Sequence, residues 1–494
     1  MNLITDPWIP VHLKNGERHI IRPHEMADAS IAEPDWPRPD LNVACLELLI
    51  GLIFIADPPS DDEDWETRQQ PDIDRLGRKL LAIKDAFNLS GDGPRFMQDL
   101  EVLEGDANPP DMLFIDSAGA NTAKNNADLM VRRERYAALN PHLAAIALFA
   151  FQAFAPSGGA GNRTSMRGGG PMTTLVDSEE GLWATVWANM PYGKAQDIKV
   201  LPWMRPTRVS DNNKPPTFPD NPNEVTAETF FGMPRRLRLV FDQTEQIIGV
   251  IQRPYGTNYT GWNHPLTPYY QMKEGSEWLP KHPTAGAFGY RNWLGIVAAS
   301  IGENKLRHRA ACVEIWQSRL RGRPTARLLV AGWAMDNMKP LDFVLSSQPL
   351  HVLADNQSLF LGAMIGAAEI FSNALRSALQ TVFADGESRD ARREEFYLET
   401  QGPFEDCVAA LCGGETTQSI AIRWRDHMRN VARKIFDEAA LPALTERRPE
   451  EIERIVEASR FLNATLNGAT KQGAKAYGEL GLPPYEKKKS QEAA

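Results

Sequence analysis

Cysteine is scarce: Cys45, Cys312, Cys407 and Cys412 are the only four in 494 residues. So few, at irregular spacing, fit buried thiols in a reducing cytosol better than a disulfide framework. Cys407 and Cys412 have no second pair and no suitably spaced histidine, so neither a zinc site nor any other cofactor is expected. Positive charge is short too, with 54 Lys and Arg against 64 Asp and Glu for a net of −10. That balance argues against a free-standing, non-specific nucleic-acid binder, which carries a basic face. It leaves room for local basic loops on an acidic subunit of a larger assembly.

Long hydrophobic runs are lacking. The most apolar stretch, Ala44 to Ala56, includes Glu47 and is too short to span a bilayer. The first residues have no basic region leading into an apolar one, so no secretory signal is expected and the protein reads as cytoplasmic, with no membrane partner. Catalytic signatures are missing as well: no Gly-Lys-Ser/Thr follows the glycine-rich stretch, and neither Gly-x-Ser-x-Gly nor His-Glu-x-x-His occurs. An enzyme, whether hydrolase or nuclease, is the weaker reading, because catalysis needs a convergent constellation.

What is present is ordinary globular composition, 42% hydrophobic and 24% charged, in a chain too long for one core. Trp8–Val11 and His19–Ile21 flank a Lys14-Asn-Gly16 turn, which predicts a hairpin. Helical periodicity marks Leu41–Ile55 and Tyr136–Phe154. From Thr174 to about Leu350, short apolar runs alternate with Pro-rich loops, the pattern of small sheets with long excursions. After Leu350 four helical segments follow, about 355–384, 388–411, 416–440 and 449–471. Short breaks between them favour an antiparallel bundle. The expected fold is α+β. A mixed α/β domain over 1–350 precedes a four-helix bundle over 351–480 and a disordered tail over 481–494.

One stretch carries the most information. Ser157 to Thr174 holds six glycines, with Arg163 and Arg167 among them, just after the apolar helix. Glycine permits φ > 0 and close backbone approach. Consecutive N–H groups in such turns form anion-binding concavities, and the arginines add charge beside them. The bland alternative is a pair of tight turns at a domain edge.

The order of motifs decides between these. The chain starts with Asp6-Pro-Trp-Ile-Pro10 and carries Ala145–Phe149 before the loop and Arg167–Thr174 within it. Trp262–Pro265, Lys273-Glu-Gly275, Ala331–Asn337 and the helical region follow. In that order it resembles, over essentially its whole length, the CasA family, the large subunits of the type I-E CRISPR surveillance complex Cascade. The resemblance implies a non-catalytic reader within an RNA-guided complex. Such a subunit recognises the protospacer-adjacent motif in duplex DNA from the minor groove, helps to start unwinding and presents the site to a helicase–nuclease. Protein reads that short motif while base pairing reads the rest.

By the same resemblance, three segments touch the duplex: a glycine loop (Gly158, Gly159, Ala160, Gly161, Asn162, Arg163), a lysine finger (Lys273) and Asp336-Asn337-Met338. Lysine can donate to the N3 and O2 acceptors that every minor groove displays. A bulky residue at Gly159 or Gly161 is expected to block the duplex and leave the fold intact. Lys124, Asn125, Asn126, Arg132, Arg133 and Arg135 match the segment that anchors this family at the 5′ handle of the guide RNA and at neighbouring backbone, small and handle-binding subunits. Arg167, Arg429, Arg433, Lys434 and Lys471 are candidates for contacts with strand phosphates, alongside the bland reading of solvated, ion-paired helix faces. Some relatives have a cysteine cluster near 252–258 that this chain lacks. Packing from Trp262, Tyr269 and Tyr270 must therefore hold the hairpin that presents Lys273. The rival to a DNA reader is a protein-binding scaffold with inert loops.

Overall fold

A computed structural model describes residues 1–483 apart from 118, 120–123, 126–132, 134, 160, 212–213, 301–305, 320–325 and 443. The chain divides into two compact units, one of residues 1–287 and 306–350, the other of 288–305 and 351–494.

The first unit begins with the predicted hairpin, β1 (Ile9–Leu13) and β2 (Arg18–Ile21), and β3 (Ile31–Pro34) pairs with the other edge of β1. The core is built on α1 (Pro39–Ala56), in which sixteen residues are buried. A helix apolar on every side belongs inside a protein, and α1 has almost no polar face. It is longer than the sequence pattern implied, because Pro39 starts it. Short helices α2 (Asp62–Thr67) and α3 (Ile73–Leu81) follow. Then α4 (Pro141–Phe154) packs against α1. The Asn140 side chain caps α4 by accepting from the Leu143 N–H at 2.8 Å. Pro156, rather than a glycine, ends it: the residue before a proline disfavours helical backbone, and Ala155 turns extended. Phe87, Phe96, Phe149, Trp203 and Phe231 form a buried aromatic cluster with edge-to-face contacts.

Three small antiparallel sheets complete this unit. Strand β4 (Thr173–Asp177), which directly follows the glycines, is followed by two short helices, α5 (Leu182–Ala188) and α6 (Ala227–Phe230). Strands β5 (Arg236–Phe241) and β6 (Ile247–Arg253) form a hairpin. The tiny strands β7 (Tyr269–Tyr270) and β8 (Leu279–Pro280) make a second, with β9 (Arg307–His308) on the far side of β7. After α7 (Ala311–Arg319), the long hairpin β10 (Ala326–Asp336) and β11 (Lys339–Leu350) pairs with β4 in the order β11-β10-β4.

The second unit is helical: α8 (Asp355–Ala378), α9 (Gly386–Cys412), α10 (Thr417–Ala440), α11 (Pro449–Leu466) and α12 (Lys471–Glu479). Five helices stand among the described residues where four were expected, and α8 packs against each of the others. The segment from Phe288, expected in the first domain, belongs here. Its Tyr290 stacks on Phe404 at 4.3 Å and meets Trp424 edge-on, while its hydroxyl bonds Thr400 at 2.8 Å.

Candidate functional site

The glycine loop is tied at its base and open at its tip. The Gly158 N–H donates to the Asn162 carbonyl at 3.2 Å and the Asn162 N–H to the Gly159 carbonyl at 2.8 Å. Gly159 and Gly161 have φ of +65° and +80°, where a side chain is strained. Ser157, Gly158 and Gly159 are exposed, whereas Asn162 and Arg163 are half-buried. Ala160 lies outside the described residues. Asn162 accepts from the Gln252 amide. Arg163 Nε donates to Ser210 Oγ at 2.8 Å, and that hydroxyl donates to the Gly256 carbonyl at 2.6 Å.

Gly161 is a packing position. Its carbonyl accepts from the Tyr255 N–H at 2.8 Å, and a Cβ on it would stand 2.7 Å from the Tyr255 ring. The expectation that a bulky residue there spares the fold is therefore wrong. Gly159 has open space around it and keeps that expectation's steric half.

The second glycine tract has a different task. Arg167, expected at a strand backbone, is 3% exposed and points inward. It pairs with Glu47 of α1 at 2.7 Å, and Thr173 and Thr267 complete the network. Arg167 is thus a buried structural cation, and the strand-contact reading fails for it. Gly168, Gly169 and Gly170 then run through a space with no room for side chains. A Cβ on Gly168 would stand 2.7 Å from the His282 ring and one on Gly169 2.7 Å from Pro156 Cα, while one on Gly170 would meet the Trp333 carbonyl. Burial holds the His282 imidazole below its usual range.

These contacts link three segments distant in sequence. Pro156 leads into the glycine loop, His282 follows the β7–β8 hairpin, and Trp333 lies on β10, whose strand ends at Asp336. The Met172 N–H donates to the Lys281 carbonyl at 2.9 Å and the Thr174 N–H to the Leu266 carbonyl at 2.7 Å. One buried tract, 168–174, therefore seats the bases of all three.

Lys273 stands exposed in the loop joining β7 and β8. Ser276 closes that turn: its N–H and Oγ both donate to the Lys273 carbonyl, at 3.1 and 2.8 Å. Lys273 forms no ion pair with a described carboxylate, although Glu274 and Glu277 are its neighbours in sequence. Tyr269 and Tyr270 brace the hairpin as expected, whereas the Trp262 indole donates to the Thr217 carbonyl at 3.1 Å and meets Tyr259 edge-on. The Tyr269 hydroxyl accepts from the His264 N–H at 2.7 Å and donates to the Trp262 carbonyl at 3.3 Å. The Lys281 ammonium lies 5.6 Å from the centre of the Tyr270 ring.

Asp336 and Lys339 pair across the tip of the β10–β11 hairpin, leaving Asn337 and Met338 as a two-residue turn with φ of +46° and +65°. Both left-handed positions are what a type I′ turn demands. Asparagine suits the first; methionine in the second is strained and half in water, 51% exposed. Asn337 Nδ2 donates to Asp336 Oδ1 at 3.1 Å.

In the segment expected at the guide handle, Lys124, Asn125 and Arg133 are exposed, and Asn126 and Arg132 lie outside the described residues. Arg135 is not free for a partner. It makes a two-pronged pair with Asp116 at 2.8 and 2.9 Å, which raises its pKa, and stands over the Phe114 ring. In the helical unit Lys434 pairs with Glu399 at 2.8 Å and Lys471 is exposed. Arg429 contacts Asp426 and Asn467, and Arg433 donates to Asn463 and Asn467. Two neutral amides thus take most of the hydrogen bonding of these two guanidiniums, which are half-buried.

Comparison with known proteins gives the following. Residues 2–435 match the family model of CRISPR-associated protein Cse1. The fold is similar to crystal structures of CasA from Thermus thermophilus (TM-score 0.73, 19% identity, 94% of this chain and 99% of that one) and of Cse1 from Acidimicrobium ferrooxidans (0.71, 18%, 97% and 99%). It is also similar to a chain of a CRISPR RNA-guided surveillance complex (0.71, 14%, 94% and 99%).

Proposed function

The chain belongs to the CRISPR-associated Cse1 family, and from that premise we propose that it is the non-catalytic large subunit of an RNA-guided, type I-E CRISPR interference complex. Its task is to read the protospacer-adjacent motif in duplex DNA from the minor groove. One observation carries this reading: the exposed tip Ser157–Gly159, the hairpin of Lys273 and the turn Asn337–Met338 all rise from the same buried glycine tract. Three loops seated on one rigid base keep a fixed spacing, which a reader of a few base pairs requires.

The chemistry of each loop fits a role. Lys273 offers a flexible ammonium to minor-groove acceptors, which are nearly alike for every base pair, so several motifs are tolerated. The bare backbone of Gly158 and Gly159 admits a close approach of base edges or phosphate. Met338 is an exposed apolar side chain on a two-stranded arm, the kind of wedge that unstacks a base step at a cost of a few kcal/mol per step. Asn337 carries donors and an acceptor beside it. Lys124, Asn125 and Arg133 remain candidates for the guide handle and adjoining subunits. Lys471, with the charge that Arg429 and Arg433 keep, remains a candidate for the displaced strand. Opening the duplex beside the motif then exposes it to a helicase–nuclease partner.

The test is to add the purified chain to a guide-loaded complex that lacks its large subunit. Target duplexes share one protospacer and differ only in the flanking trinucleotide. The reading predicts affinities that differ by about tenfold or more between flanks, the worth of one or two base contacts. Equal affinity on every flank would make the chain a scaffold instead.

A further inference from the structure

A buried cation without a carboxylate lies directly beneath the glycine loop. Arg235, the residue before β5, is 4% exposed. Its backbone is fixed to α4 by Gln152, whose Oε1 accepts from the Arg235 N–H and whose Nε2 donates to the Arg235 carbonyl, both at 3.0 Å. From there the side chain crosses the Phe151 ring, with Cζ 5.3 Å from its centre, and donates through Nη2 to the Pro156 carbonyl. Its Nε has no hydrogen-bond partner, and among the described residues no carboxylate comes within ion-pair distance of it. The other deeply buried arginines of the first unit have an anionic or phenolic partner: Arg68 has Asp57, Arg167 has Glu47 and Arg319 has Tyr192. Burial alone pushes the Arg235 pKa down to about 10, so the group is still charged at neutral pH.

An uncompensated buried charge is costly, and a fold keeps one where something else supplies the counter-charge. The geometry says from which side it comes. A Cβ on Gly158 would stand 3.1 Å from Nη1 and 3.4 Å from Nη2. Gly158 has no positive φ that would demand glycine. Its missing side chain instead leaves the exposed Gly158 backbone lying directly over the guanidinium, with Asn162 Cβ beside it, 3.0 Å from the same Cβ position. A phosphate set against Ser157–Gly159 would meet the Ser157 and Gly159 N–H groups and the charge below them together, the Gly158 N–H being held by the Asn162 carbonyl.

We propose that Arg235 is the phosphate-positioning residue of the glycine loop: its guanidinium, directly beneath Gly158, fixes one backbone phosphate of the bound duplex. This rests on the reading of the loops as a duplex-binding surface and adds a sequence-independent contact to it. Lys273 and the turn at Asn337 serve discrimination, while Arg235 sets register on the backbone.

The experiment measures target affinity of the assembled complex against salt for the wild-type chain, Arg235→Met, Arg235→Lys and Gly158→Ala, with thermal unfolding alongside. One phosphate contact contributes about 0.9 to the slope of log affinity against log salt. Arg235→Met is expected to reduce that slope by about one and to weaken binding about tenfold at low salt, with the preference among flanks retained. Arg235→Lys keeps the slope. Gly158→Ala keeps the charge but sets a methyl 3.1 Å from Nη1 and 3.0 Å from Asn162 Cβ, so the guanidinium is pushed back and covered, and the slope falls even if the Met variant fails to fold. Unchanged slopes in Arg235→Met and Gly158→Ala, with lowered thermal midpoints, would make Arg235 a strut for Pro156 and overturn the proposal. Because the flank series is read from the same data, loss of flank preference in the wild-type complex would sink the broader reading separately.

Discussion

Glu47 and Arg167 meet 2.7 Å apart inside the first unit, 1% and 3% exposed, and join the core helix to the tract that seats three loops. Removing one partner of such a pair strands the other's charge in a low-dielectric interior.

Glu47→Gln is accordingly expected to destabilise the chain by about 3–5 kcal/mol in chemical denaturation. Replacing both residues with apolar ones of similar volume should recover most of that loss. If the double variant is as unstable as the single one, the hydrogen bonds to Thr173 and Thr267, rather than the charge pair, hold the tract.

Gly161 and Tyr255 provide a second test. Gly161→Ala adds left-handed strain of about 1–2 kcal/mol and a clash with the Tyr255 ring. Tyr255 has a φ of +63° itself, so Tyr255→Gly removes both the ring and that strain. A double-mutant cycle is expected to show favourable coupling of at least about 0.5 kcal/mol. Gly159→Ala, with open space around it, should show only the strain. Additive effects at 161 and 255 would mean that the two do not hold the loop together.

Met338→Gly separates stability from function. Glycine at the second left-handed position of a type I′ turn relieves strain, so the variant gains about 1 kcal/mol in stability. The proposed wedge is lost with it, so opening of the duplex, followed by a fluorescent base beside the motif, is expected to slow. A variant that opens DNA at the wild-type rate would remove Met338 from the mechanism.

Local features of this molecule were legible in its sequence and distant ones were not. The Lys14-Asn-Gly16 turn announced its hairpin because the residues that set it are adjacent. Four of the five helices of the second unit followed from their apolar spacing, while α12 (Lys471–Glu479) did not. Arg167 looked like loop charge because its partner, Glu47, lies 120 residues earlier, the one charge within an otherwise apolar run. Arg135 misled for the same reason, its carboxylate being Asp116. Arg235 stands just before Arg236–Phe241, a pattern that spells a strand, and no spacing announces that a guanidinium turns back beneath a glycine. The three loops came from motif order, but the common base beneath them depends on close approaches by Gly168–Gly170 that only coordinates reveal.

Lys273→Ala, measured in the guide-loaded complex across all flanking trinucleotides, tests the central claim most directly. Lys273 is exposed and forms no ion pair with a described residue, so folding and assembly should be untouched. The account predicts that affinity falls about tenfold or more on the preferred flanks, shrinking the spread among flanks. Full retention of that spread would contradict it.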